Sequence, residues 1–233
     1  MNIYIDNNIL IDYEDGKKDL PVNRMIKYVY SYVHLQELQE LKKNLEKKKC
    51  ERLHIIEKLT NDRYVSHGNN NQLIISTASP YNVFENLNTP LMNIISQQIH
   101  EATAHWKVDE NPKFLMNLLG IEKKKINNYT PEILIERYGQ IIKSYIASTC
   151  NNRQEVFQSL FNILDALGYW QDKVNSGSTM NRSLDAHHAY YATSCDYFVT
   201  DDKNTRKKAN VVYVLYQYKT KAVSYLDFIN LIS

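Results

Sequence analysis

Two short apolar runs, Ile3-Tyr4-Ile5 and Tyr197-Phe198-Val199-Thr200, lie at opposite ends of a 233-residue chain, and each stops on an acid. Short runs of β-branched and aromatic residues read as buried strands. A parallel α/β sheet gathers the carboxyl ends of its strands along one edge, and groups placed there are exposed to ligands. A fold that pairs the two runs in parallel therefore brings Asp6 towards Asp201 and Asp202 across almost the whole sequence. A third acid, Asp185, precedes the second run in Ser183-Leu184-Asp185-Ala186-His187-His188. Leu184, His188, Tyr191 and Cys195 recur at helical spacing. Ser183 reads as the N-cap of that helix, and Asp185 in its first turn suits the positive end of the helix dipole.

The rest of the chain alternates strand and helix signals only near its ends. After the strand at 2–5, Ile9, Leu10, Ile11 and Tyr13 begin a short helix that stops near Gly16, and 28–31 reads as a second strand. From His34 to Leu59 the spacing of Leu35, Leu38, Leu41 and Leu45 predicts one long amphipathic helix. The segment 60–88 is mixed, with 72–76 readable as a strand or a loop edge. From Thr89 to Tyr169 the signals are helical: Thr89-Pro90, Asn111-Pro112 and Thr130-Pro131 are helix openings, and Asn152 with Glu155 forms a capping-box-like start closed by Gly168. This middle reads as a helical insertion, about 89–170, in a single domain whose core halves are about 1–60 and 172–233. The polar stretch 171–181 reads as the linker back, followed by a helix at 203–217, a strand at 222–225 and a terminal helix at 226–232.

Composition narrows the class. An apolar fraction of 43% with 23% charged residues fits a globular chain, and a net charge of +2 excludes a polybasic wrapping protein. Cys50, Cys150 and Cys195 are odd in number and lack C-x-x-C spacing, which argues against a disulfide framework or a cysteine zinc site. With no leader-like start and no apolar run near the length of a membrane span, the expected location is the cytoplasm.

Several chemistries can be set aside. His100 and His105 miss the H-E-x-x-H spacing because position 104 is Ala. Arg182 and His187 have the R-x-x-x-x-H spacing of HEPN ribonucleases, but those are all-helical and this chain has strands at both ends. The six glycines include no phosphate-loop pattern. What remains is the set of acids. Two like charges ~4 Å apart repel by ~4 kcal/mol at an effective dielectric near 20. A divalent cation removes that repulsion, and hard oxygen ligands without His or Cys match Mg²⁺ or Mn²⁺. Such a cation polarises a phosphodiester and acidifies water. Along the second run, Phe198, Thr200 and Asp202 share one face and Tyr197, Val199 and Asp201 the other. If Thr200 orients the site, Asp202 is its partner. Lys203, Arg206, Lys207 and Lys208 follow directly, in a pattern that suits phosphate contacts as well as an ordinary solvated helix face.

These pieces resemble a known family. IYIDNNIL, at 3–10, is similar to the opening strand and D-x-N of PIN-domain nucleases; SYVHLQEL, at 31–38, to their second strand and helix, where a serine precedes a glutamate. LDAHHAYYA, at 184–192, is similar to the family's D-x-x-x-A-x-x-A helix start, and CDYFVTDDK, at 195–203, to its T-x-D strand end. The likeness covers about the first 60 and last 60 residues, and the helical middle has no counterpart in the small toxin-type members. The resemblance implies a three-layer α/β/α sandwich with a central, mainly parallel sheet. It further implies an endonuclease dependent on Mg²⁺ or Mn²⁺, acting on RNA more often than DNA, such as a toxin or an antiviral defence effector. Asp6, Asp185 and Asp202 would be the main metal ligands and Glu37 a further ligand or orienter of water. Asn8 and Thr200 would hold the carboxylates in register, and Lys203, Arg206 and Lys207 would meet the substrate. The other readings are a non-catalytic RNA-binding or scaffold protein of the same fold and a nuclease acting on DNA. Expected partners are a nucleic acid, a protein partner or inhibitor on the helical insertion, and a second copy of the chain, but no membrane.

Overall fold

The computed structural model describes residues 1–39, 45–69, 72–87, 114–150, 153–172 and 178–232. Among the described residues, six strands form one sheet: β1 (Asn2–Ile5), β2 (Lys27–Ser31), β3 (Arg63–His67), β4 (Leu73–Thr77), β5 (Tyr197–Val199) and β6 (Lys221–Val223). Their order across the sheet is β4-β3-β2-β1-β5-β6; only the β3–β4 pair is antiparallel. The fold is an α/β sandwich on a mostly parallel sheet. Among the described residues, no helix is long and apolar enough to cross a membrane.

The two runs at opposite ends of the chain pair in parallel, with Ile3 opposite Tyr197, Tyr4 opposite Phe198 and Ile5 opposite Val199. Ile3, Ile5 and Val199 pack on one side with Tyr28, Tyr30, Leu35, Leu53, Ile56 and Phe228, while Tyr4 and Phe198 are equally buried on the other. Burial on both sides explains why these strands read as unbroken apolar runs rather than as alternating ones. Each fully buried Ile or Val contributes about 1.5–3 kcal/mol.

The chain divides into two compact units, 1–87 with 191–202 and 219–233, and 88–190 with 203–218. The first holds the sheet and the helices α1 (Asn7–Glu14), α2 (Tyr32–Gln39), α3 (Glu46–Thr60), α4 (Pro80–Glu85) and α11 (Tyr225–Ile232). The second holds α5 (Phe114–Leu118), α6 (Lys123–Ile126), α7 (Pro131–Thr149), α8 (Arg153–Ala166), nearly all of α9 (Ser178–Ala192) and α10 (Lys203–Leu215). The expected insertion, about 89–170, is thus extended: α9 and α10, expected as part of a single α/β domain, cluster with the insertion helices. Tyr213 of α10 donates its hydroxyl to the Ala189 carbonyl of α9 at 2.8 Å, and Phe157 of α8 packs edge-on against Tyr190.

Several elements differ from the sequence expectation. The long helix at 34–59 is two helices. Leu45, at φ −107° and ψ 25°, lies outside helical geometry at the head of α3, a break that no Gly or Pro announces. The mixed segment contains the β3–β4 hairpin, reached through Asn61 and Asp62, both left-handed (φ 48° and 60°), residue types that tolerate that geometry. The helix placed at 90–106 lies outside the described residues. Thr130 caps α7 by accepting from the Ile133 N–H, and Gly168, at φ +80°, follows α8, as their signals foretold.

Candidate active site

The site follows from where the sheet reverses. From β1 the chain builds outward through β2 and β3 on one side, and later through β5 and β6 on the other. At such a reversal the connections leave in opposite directions and open a crevice at the carboxyl ends of the two central strands. Asp6 follows β1 and Thr200 follows β5, directly beyond the paired residues Ile5 and Val199. The backbone fixes both: the Asp6 N–H donates to the Val199 carbonyl at 2.9 Å and the Thr200 N–H to the Val223 carbonyl at 3.0 Å.

A single hydroxyl then links the acids. Thr200 Oγ1 donates to Asp6 Oδ2 at 2.7 Å and accepts from the Asp202 backbone N–H at 3.1 Å. Thr200 is fully buried, Asp6 is 4% exposed, and Asp202 is exposed. Asp6 sits at the N-cap of α1, where an aspartate is a favoured cap, yet its side chain makes no capping bond. The carboxylate is directed to Thr200 instead, at the expense of a cap of about 1 kcal/mol.

Asp201 and Asp202 separate cleanly. Asp201 accepts from the Tyr225 backbone N–H at 2.9 Å and pairs with Lys18 at 3.0 Å; Lys18 also pairs with Asp12. Asp201 therefore ties the start of α11 to the loop after α1. Asp196 is occupied at the other end of β5, accepting from the Asn2 N–H at 2.7 Å.

The second strand contributes a buried cluster. Tyr4 Oη lies 2.6 Å from Ser31 Oγ, and His34 Nδ1 lies 3.1 Å from the Ser31 backbone nitrogen. His34 Nε2 is 2.8 Å from the Ile5 carbonyl oxygen. Burial raises the Tyr4 phenol well above its ordinary value, with nearby Tyr191 and Asp6 adding to the rise, so it stays protonated. Glu37, half-buried, lies on the same helix one turn beyond His34. The sequence signal for this cluster is Ser31-x-x-His34, a capping-box spacing with histidine in the place of glutamate.

Other expected site residues are placed differently. Asn8 is exposed at the second position of α1, and it is Thr200 that holds Asp6. Asp185 belongs to the second unit, half-buried in the middle of α9. It is not in a first turn: α9 begins at Ser178, five residues before the expected cap, and Ser183 is buried within it. The polar run 178–183 read as linker and cap, but a helix whose face packs overrides such local preferences. Arg182 pairs with Asp165 at 3.4 Å, which gives it a structural partner in place of the R-x-x-x-x-H reading. Burial, with a smaller push from His188, lowers His187 to about 4, leaving it neutral.

Of the basic cluster, Lys203 and Lys207 are exposed and Arg206 is half-buried. Lys203 lies over the Trp170 ring, 4.3 Å from its centroid. Lys208 is removed from the cluster: it is fully buried, bonded to Asp165 at 2.5 Å and Asp172 at 2.6 Å.

Among the described residues, no group of three or more His, Cys, Asp or Glu side chains is arranged to hold a metal ion. Mg²⁺ does not require one, since it keeps several waters and binds through one or two carboxylates. Thr200 fixes the direction of the Asp6 carboxylate and bonds the backbone of Asp202. No protein-family model, curated protein or solved structure matches the chain.

Proposed function

We propose that this chain is a PIN-like nuclease, dependent on Mg²⁺ or Mn²⁺, that hydrolyses phosphodiester bonds of RNA in preference to DNA. The observation that carries the reading is the Thr200 hydroxyl, which joins the Asp6 carboxylate to the Asp202 backbone at the reversal point of the sheet. The hydroxyl fixes the direction of the Asp6 carboxylate, whose side chain leaves the α1 cap unmade. A carboxylate held in one direction at the carboxyl ends of two central strands is suited to meet a cation.

In this reading the cation supplies Lewis acidity towards the phosphate and the attacking water. The protein residues do the rest. Asp6, buried and oriented by Thr200, presents one carboxylate in a fixed direction, and Asp202 presents a second at the open edge. Asp202, exposed, accepts the proton that the attacking water loses as its oxygen bonds to phosphorus. The P–O bond to the leaving nucleotide breaks on the opposite side. Glu37 is the further carboxylate proposed to join the ligand set.

The lack of a three-carboxylate group among the described residues favours one competing reading, an RNA-binding protein of this fold without catalysis. One assay separates them. Wild type and Asp6→Asn are compared on single-stranded RNA and matched DNA, with Mg²⁺, with Mn²⁺ and with chelator. The expected result is metal-dependent RNA cleavage that Asp6→Asn lowers by about 100-fold or more. RNA binding without cleavage would establish the competing reading, and equal cleavage of DNA would remove the RNA preference.

A further inference from the structure

We propose that His34 is a positioning residue of this site. As the neutral Nε2–H tautomer, it ties the first turn of α2, which carries Glu37, to the end of β1, which carries Asp6. The proposal rests on the nuclease reading above for its catalytic consequence, but the tether itself is derived from geometry alone.

Ser31-Tyr32-Val33-His34 is a capping box in which histidine replaces the usual glutamate or glutamine. Ser31 Oγ accepts from the Val33 N–H at 3.3 Å, and the residue three positions after the cap reaches back to the cap's own N–H. A backbone N–H can only donate, so Nδ1 must accept from Ser31. A backbone carbonyl can only accept, so Nε2 must donate to Ile5. The Ser31 and Ile5 partners point to the neutral Nε2–H ring, since a proton on Nδ1 would face the Ser31 N–H; the Tyr4 hydroxyl, 3.4 Å from Nδ1, can donate to the same acceptor. Tyr4 completes the enclosure, with its ring 4.9 Å from that of His34 and its hydroxyl on Ser31. His34 is 1% exposed and Ser31 is fully buried.

The choice of residue is informative. Glutamate would satisfy the Ser31 N–H equally well, but it has no hydrogen for the Ile5 carbonyl and would meet it lone pair to lone pair. Histidine at this position caps the helix and also reaches across to the next strand, at the peptide immediately before Asp6. An ordinary cap needs only the first of these bonds. The second joins two elements that each bear a proposed ligand, and it does so beneath the site rather than in it.

The test uses the full chain and three readouts. ¹⁵N NMR of the wild-type imidazoles reports the tautomer: Nε2–H at neutral pH is expected, and an Nδ1–H form or an imidazolium overturns the tether. His34→Gln keeps an acceptor and a donor on one side chain, whereas His34→Leu keeps the bulk beside Tyr4 and neither hydrogen bond. We expect His34→Gln to retain kcat within about threefold, and His34→Leu to lose about 10–100-fold in kcat with little change in KM, the range typical of residues that orient metal ligands. Melting temperatures establish that each variant is folded. Should His34→Leu not fold, His34→Gln alone decides, and a tenfold loss of kcat there overturns the proposal. Leu equal to or better than Gln would show that the ring matters as packing. A wild type without metal-dependent cleavage ends the nuclease reading and the positioning role together, while the NMR result still stands for the tether.

Discussion

Two places in this molecule gather acids, and they do so differently. In the helical unit, Asp165 of α8 meets Lys208 of α10 at 2.5 Å and Arg182 of α9 at 3.4 Å. Lys208 also holds Asp172, which accepts from Asn204 at 2.8 Å. Burial raises the Asp165 carboxyl, and Lys208 opposes the rise. At the sheet edge, the bonds linking Asp6 to Asp202 come from a hydroxyl and a backbone N–H. The first arrangement brings its cations in side chains and joins three helices permanently. The second sets the direction of the Asp6 carboxylate and the backbone of Asp202 through one buried hydroxyl.

The largest expected effect tests the structural half of that contrast. Lys208→Met removes a fully buried ammonium and leaves Asp165 and Asp172 facing each other without it. Breaking a buried pair from one side costs about 3–5 kcal/mol, which urea denaturation would read directly. Adding Asp165→Leu should restore part of the loss, because an apolar replacement of the whole pair is tolerated far better than a stranded charge. A loss under about 1 kcal/mol would mean that the network is not what joins these helices.

A second effect belongs to the same unit and concerns pH. His187, held near 4 by burial in the folded protein against 6.5 for the free side chain, takes up its proton more readily when unfolded. Folding is then unaffected by this residue above about 6.5 and is progressively disfavoured as pH falls from there to about 4, by roughly 2–3 kcal/mol at the end of the window. Stability measured across this window for wild type and His187→Leu should diverge towards the acid side, with the variant the flatter. Parallel curves would show that His187 is not buried neutral.

How much of this was legible in the sequence depends on where the determining contacts lie. The β1–β5 pair could be read because both strands are apolar runs that end abruptly, and one register brings both ends together. The preference for Asp202 over Asp201 followed from strand alternation around Thr200. The position of Asp185 was misread because a polar stretch containing Ser183 looks like a cap until its burial is known. Lys208 looked like a solvated lysine because its partners, Asp165 and Asp172, lie some 40 residues away on other elements. The second bond of His34 goes to a strand 29 residues earlier, and local spacing reveals only the cap.

The smallest expected differences divide neighbours on one short segment. Thr200→Val keeps shape and burial while removing the hydroxyl that joins Asp6 to Asp202. It should lower cleavage by about 10–100-fold, as loss of a ligand-orienting group does. Asp201→Asn, one residue on, loosens an exposed pairing with Lys18 and should cost at most about 1 kcal/mol, with cleavage unchanged. The two variants share a strand end, so any general loosening of that end would affect them alike. A loss of cleavage in Asp201→Asn matching that in Thr200→Val would mean that the segment acts as a whole and that the hydroxyl holds no special place. Separation of the two assigns the effect to one oxygen atom, because the backbone bonds of Asp6 and Thr200 to their neighbouring strands remain in both variants.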